Sequence, residues 1–172
     1  MNSDNGNYFS LKACLTAAFE LPEGIYPCMN YDMSIASTKI GVLTATERGA
    51  GGSGILPKLR NGLTSNHFTA LKTLYAQSLL TESEVQQIVD YVQSKLKNKV
   101  SDDFIKCYSL PLWIGSRRDV EYLGVWSERM QISLRTAKRR SYDVNIVLER
   151  LEGNAKHHAI KILTEERILC RA

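Results

Sequence analysis

The sequence predicts a mainly α fold: a helical bundle with a C-terminal helix-turn-helix and an irregular N-terminal arm. Three observations carry this expectation. From Ser65 onward apolar residues recur every three or four positions, the period of a helix, and no multistrand alternation competes. Serine and threonine side chains able to cap a helix stand ahead of most of these stripes. Before residue 63, Pro22, Gly24, Pro27, Pro57, Gly62 and a glycine-rich stretch interrupt every period. The expected division is therefore an arm over 1–62, with one short helix and the glycine-rich loop, and a helical domain over 63–172. Within the latter, a helix-turn-helix is placed at about 117–151.

Composition sets the class. The 172 residues are 44% hydrophobic and 23% charged, values of an ordinary globular chain able to bury a core. The net charge of +4 is mild, but much of it is concentrated in 129–140. Cys14, Cys28, Cys107 and Cys170 show no C-x-x-C spacing, which excludes a zinc ribbon or redox motif and fits scattered reduced thiols. The opening MNSDNGNYFS has no basic region followed by an apolar run, and no eighteen-residue apolar stretch occurs. Neither a signal peptide nor a membrane span is expected, and the cytoplasm is the default location.

Taken in order, residues 1–9 are polar and read as disordered. Ser10 caps a short helix over Leu11–Phe19 with Leu11, Cys14, Leu15 and Ala18 on one face. Lys39–Thr46 reads as a short strand or a helix end. Arg48–Gly54 reads as a flexible loop, and Pro57 and Gly62 extend the irregular region. Phe68, Leu71, Tyr75 and Leu79 mark an amphipathic helix over about Asn66–Leu80. Thr81-Glu82-Ser83-Glu84 is a capping box opening a helix to about Leu96, with Val85, Ile88, Val89, Val92 and Leu96 inward. Lys95, Lys97 and Lys99 suit its C-terminal dipole. Ser101 caps a third helix carrying Phe104, Ile105 and Tyr108, which Pro111 stops or kinks.

Ser116 caps the next helix, with Asp119 in its first turn and Val120, Leu123, Trp126 and Met130 as its stripe. A long helix follows over about Leu134–Leu151, striped by Ala137, Val144, Leu148 and Leu151, with Gly153-Asn154 as its C-cap. A last helix, near Lys156–Leu169, is expected to bury Ile160, Leu163 and Ile168.

The chemistry-bearing stretch is Val125–Tyr142. Trp126, Met130 and Ile132 supply apolar positions on a first helix and in the turn. Ser133 caps a second helix whose opening, Leu134–Arg140, holds four cations and no acid. Apolar positions that lock two helices together, under a polar and cationic outer face, suit entry into a major groove. With Gln131 as the turn residue, Trp126 and Ser127 precede it on the first helix, Ile132 is the buried turn residue, and Ala137 faces inward. Glycine is the usual turn residue, because φ is positive there, so glutamine bears strain. Arg140 falls where an apolar residue is expected. An inward stripe of Leu134, Ala137, Ser141 and Val144 resolves this and turns Arg135, Thr136, Lys138, Arg139 and Tyr142 outward.

On that reading Arg135 and Arg139 read bases, since arginine bonds guanine bidentately. Lys138, Arg140, Arg129, Arg117 and Arg118 neutralise phosphates. Ser133 and Thr136 bond a phosphate at the helix N-terminus. A solvated basic face on a core helix hairpin is the plain alternative.

Other motifs carry less. Gly49-x-Gly51-x-x-Gly54 fits a dinucleotide fingerprint in letters only: no βαβ unit follows and no Walker lysine is present. A mobile linker, or an arm in which Arg48, Lys58 and Arg60 order on a partner, suits it better. His157 and His158 are adjacent, hence about 100° apart on a helix, unlike chelating i, i+4 histidines. His67 reads as a first-turn residue. Trp126 reads as core, and Trp113 as core or a protein interface. No carboxylate pair, Ser/His/Asp set or Cys/His set stands out, so no enzyme activity, metal or cofactor is expected.

The order of parts resembles small regulators carried by phages and prophages, with a polar arm, a helical body and a C-terminal helix-turn-helix ending in a long helix. Trp126-Ser127-Glu128-Arg129-Met130-Gln131-Ile132-Ser133-x-Arg135-Thr136-x-x-Arg139 is similar to many bacterial helix-turn-helix segments. Leu151-Glu152-Gly153-Asn154 with the following helix is similar to late-gene antiterminators of lambdoid phages, although the zinc-binding cysteines of some of those have no counterpart here. The resemblance implies a chain that binds a double-stranded DNA site, contacts RNA polymerase and alters its response to pause or stop signals. It makes the long striped helix and the Gly49–Gly54 arm candidates for polymerase or self-contact. A homodimer reading two half-sites is compatible with it. The competing function is a helical protein-interaction module, an inhibitor or adaptor, without DNA binding.

Overall fold

The computed structural model describes residues 10–20, 54–76, 80–115 and 121–169. These form seven helices and, among the described residues, no β-strand. Residues 1–9, Pro22, Gly24, Pro27, Cys28, Lys39–Thr46, Arg48–Ser53, Leu79, Ser116–Val120 and Cys170 lie outside them, and with them the expectations attached to those positions.

The chain divides into two compact units, Met1–Leu63 with His158–Ala172, and Thr64–His157. The C-terminal residues 158–172 group with the N-terminal unit.

In the first unit, α1 spans Leu11–Glu20. Ser10 Oγ accepts the amide of Ala13 at 3.2 Å, and Cys14, Leu15, Ala18 and Phe19 are buried. The segment expected to stay irregular contains a second helix, α2, over Ile55–Gly62. Pro57 permits it because it stands in the first turn, where its missing N–H has no intrahelical acceptor to lose. Ile55 and Leu59, one turn apart, are fully buried. A Cβ on Gly62 would lie 2.7 Å from Ile162 Cδ1, so this glycine marks a close approach. Lys58 and Glu166 form an ion pair within the same unit.

The second unit begins with α3, Ser65–Tyr75, and α4, Glu82–Leu96. Helix α3 ends five residues before the expected Leu80, and its cap is Thr64, whose side chain accepts from the His67 amide. The capping box of α4 is complete: Thr81 Oγ1 accepts the Glu84 amide, and Glu84 Oε2 accepts the Thr81 amide at 2.9 Å. Lys72 ties α3 to α4, donating to both oxygens of Glu84 at 2.8 and 2.9 Å. Gln87 adds bonds to Ser65 Oγ (2.6 Å) and Asn66 Oδ1 (2.9 Å). Ile88, Val89 and Val92 are fully buried, while Val85 and Leu96 are half-buried.

Helix α5 is continuous through Asp102–Phe104, a π-segment at Ile105–Ser109, and Leu110–Trp113. Ser101 caps it as expected, accepting from the Phe104 amide. Pro111 does not stop it. The Leu110 amide donates five residues back to the Ile105 carbonyl. This wider turn accommodates the proline ring that a plain α-turn would press against the carbonyl four residues back.

The remaining helices are α6, Leu123–Arg129, and α7, Leu134–Glu165. The expected break at Gly153-Asn154 does not occur; α7 is a single helix of 32 residues. Its buried stripe explains why, for Leu151, Ala155, Ala159 and Leu163 continue at helical spacing across the glycine and are all fully buried. That packing outweighs the roughly 1 kcal/mol a helical glycine costs. Ile160, expected inside, stands one position off the stripe and is 46% exposed. The helix ends instead at Arg167 (φ 56°), where the amides of Arg167 and Ile168 donate to Thr164 and Leu163 at 3.1 and 2.8 Å. This is a Schellman cap.

Candidate nucleic-acid interface

Helix α6 begins later than expected. Glu121 and Tyr122 are not helical, and Tyr122 is extended (φ −59°, ψ 136°). Trp126 anchors it. The indole is 5% exposed and meets the Phe104 ring edge-on, centroids 5.8 Å apart. Phe104 in turn stacks on Tyr108 at 4.9 Å. Ser127 is buried and returns its hydroxyl to the Gly124 carbonyl at 2.7 Å.

The turn is built as the strain argument requires. Gln131 has φ 52°, in the left-handed region. Its amide donates to Glu128 O, and that of Ile132 to Ser127 O, both at 3.0 Å, giving a second Schellman cap. Ile132 is half-buried and Gln131 exposed. Ser133 then caps α7: its Oγ accepts the Thr136 amide at 3.2 Å and bonds the Thr136 hydroxyl at 2.9 Å. Two helices joined by a turn of four residues, 130–133, are therefore present.

The rotation of α7 about its axis decides which side chains are available. Ala137, Val144 and Leu148 are fully buried and Ser141 is 9% exposed. Arg135, Lys138, Arg139 and Tyr142 stand at i, i+3, i+4 and i+7, one helical face, and all are exposed. Thr136 is exposed beside them. Among the described residues, no carboxylate forms an ion pair with Arg135, Lys138 or Arg139. The face is thus a row of cations with nothing of opposite sign bound to it from the described chain.

Other expected site residues lie elsewhere. Arg129 is held by Glu121, Nη1 to Oε2 at 2.6 Å and Nη2 to Oε1 at 2.9 Å, and its guanidinium lies 5.0 Å from the Trp126 ring centre. Arg140 is half-buried, off the exposed face. It lines an open concavity of about 550 Å³ with Asp103, Cys107, Trp126, Arg129 and Met130. Arg117 and Arg118 lie outside the described residues. Leu134, expected on the inward stripe, is 38% exposed. As the first residue of α7 it leans toward the helix N-terminus, ahead of the first buried position at Ala137.

Beyond Tyr142, which the helical period turned outward, sequence reasoning missed an apolar component of this surface, Tyr122, Val125 and Leu134. Five large hydrophobic side chains are exposed among the described residues, and four of them, Tyr122, Val125, Leu134 and Tyr142, fall within this hairpin. Residue type gave no signal of this, because Val125 and Leu134 are residues that normally seek a core.

Val144, Leu148 and Leu151 are fully buried by the chain itself, so this stripe is not a surface for polymerase or a second copy. Trp113 is half-buried and donates its Nε1–H to Glu152 Oε2 at 2.9 Å. Cys14 and Cys107 are free thiols, and burial pushes the Cys14 thiol up to about 11. No helix among the described residues is long and apolar enough to cross a membrane, and none of their His, Cys, Asp and Glu side chains cluster to hold a metal. No protein-family model, curated protein or solved structure matches the chain.

Proposed function

We propose that this chain is a DNA-binding transcription regulator that lays the first turns of α7 in the major groove of double-stranded DNA. One observation carries the reading. Arg135, Lys138 and Arg139 share an exposed face and have no ion-pair partner among the described residues, while Ala137 and Ser141 anchor the opposite side. A packed hairpin holds that face rigidly, which base reading requires. Arg135 and Arg139 are the base-reading residues and Lys138 a phosphate contact. Ser133 and Thr136 position the helix start, and Tyr142 extends the face by one turn.

Arg129 contributes to phosphate binding only by exchanging Glu121 for a phosphate, and Arg140 only from the edge of its concavity. Arg117 and Arg118 add charge on the segment before α6. A regulator of this kind works on DNA in the cytoplasm. The narrower reading, an antitermination factor of phage type that contacts RNA polymerase, rests on the resemblance stated above. Homodimers on two half-sites fit the same geometry.

The test is fluorescence anisotropy with duplex DNA selected from a randomised pool. Arg135→Ala and Arg139→Ala should each weaken binding by about 1–3 kcal/mol and relax base preference at one position. A wild-type protein that selects no sequence, or variants that bind as well as wild type, would refute the proposal. Tight capture of a protein partner that is indifferent to both substitutions would favour an interaction module instead.

A further inference from the structure

The exposed face of α7 is not purely cationic. Leu134 is its first residue and remains 38% exposed. It lies one turn before Lys138 and next to Arg135, at the end of the helix that leads into the groove. The Ser133 cap fixes the backbone at this end, so the Leu134 side chain is presented from a defined position. The unpaired cations beside it favour a polyanion as the occupant of the face, rather than an apolar protein groove.

A major groove offers an isobutyl group one apolar feature, the C5-methyl of thymine. We infer that Leu134 reads a thymine methyl, giving the protein a preference for thymine at one base pair beside the guanine contacts of Arg135 and Arg139. Leu134 is then a specificity-determining residue whose contact is dispersion and dehydration, without a hydrogen bond. This inference rests on the DNA-binding reading and adds to it the identity of a neighbouring base.

Deoxyuridine tests it, because it pairs as thymine does and lacks only the methyl. Each thymine of the selected duplex is replaced in turn by deoxyuridine, and affinity is measured for wild type and for Leu134→Ala. For wild type, one replacement should weaken binding about fourfold, the effect of leaving one methyl group unburied. For Leu134→Ala that position should become indifferent. The wild-type series requires no variant and stands even if Leu134→Ala is poorly folded.

Wild-type affinity that is unchanged at every thymine, with Arg135→Ala still weakening binding, overturns the methyl contact and leaves the DNA-binding reading intact. A deoxyuridine effect that persists in Leu134→Ala shows that another side chain reads the methyl and overturns the assignment. Failure of the wild type to select any duplex overturns both.

Discussion

The amide of Ile132 donates to the carbonyl of Ser127 at 3.0 Å across the turn between α6 and α7. That bond closes one helix, and Ser133, the next residue, caps the other. It requires Gln131 between them to take a φ of 52°. The hairpin's geometry therefore depends on a residue in a conformation that costs a side chain about 1 kcal/mol.

Glycine at this position should remove that cost. Gln131 is exposed, so its side chain gives up no packing on removal. Gln131→Gly is expected to stabilise the chain by about 0.5–1 kcal/mol, seen as a thermal midpoint raised by a few degrees. A lowered midpoint would mean that the glutamine side chain holds the turn by a contact of its own.

Gly153 presents the opposite case. It stands in the interior of α7, and a Cβ added there would meet nothing within 4 Å. Gly153→Ala should therefore stabilise by roughly 0.5–1 kcal/mol, the helix-propensity difference. Denaturant unfolding would check it, with the midpoint rising at constant slope. If α7 bent or ended at this residue, alanine would destabilise instead.

The α3–α4 contact should be sensitive to acid. Burial pushes the Glu84 carboxyl up, but bonds from Lys72 and from the Thr81 backbone and side chain, with the Lys72 charge, outweigh it and hold it below its ordinary 4.5. A depressed folded-state value stabilises the fold above the unfolded-state value, and the contribution is lost as pH falls through the folded value. Melting temperature should therefore drop as pH falls below about 4.5, and Glu84→Gln should flatten part of that drop. An identical pH profile for the variant would remove Glu84 from the account.

Local chemistry was legible at most places where a side chain closes its own helix, the Thr64 cap of α3 being one that was missed. Ser10, Thr81, Ser101 and Ser133 were each recognisable as caps, because the bond spans only three residues. The buried Trp126 and Ala137 and the exposed Arg135, Lys138 and Arg139 followed from helical period alone. What failed was local grammar overruled by packing. Pro57 and Gly62 read as breakers, yet the burial of Ile55 and Leu59 makes a helix of that segment. Gly153-Asn154 read as a stop, yet Ala155, Ala159 and Leu163 carry the buried stripe beyond it. The tie between Arg129 and Glu121 depends on side-chain geometry that residue spacing does not encode.

The central claim is that the Arg135–Lys138–Arg139 face meets DNA phosphates and bases, and the salt dependence of binding tests it most directly. The logarithm of the wild-type association constant should fall linearly with the logarithm of salt concentration, with a slope near −0.9 for each phosphate neutralised. Lys138→Ala should reduce the steepness by about 1, whereas Lys99→Ala, a cation outside the hairpin, should leave it unchanged. A wild-type affinity independent of salt, or equal slopes for wild type and Lys138→Ala, would contradict the account.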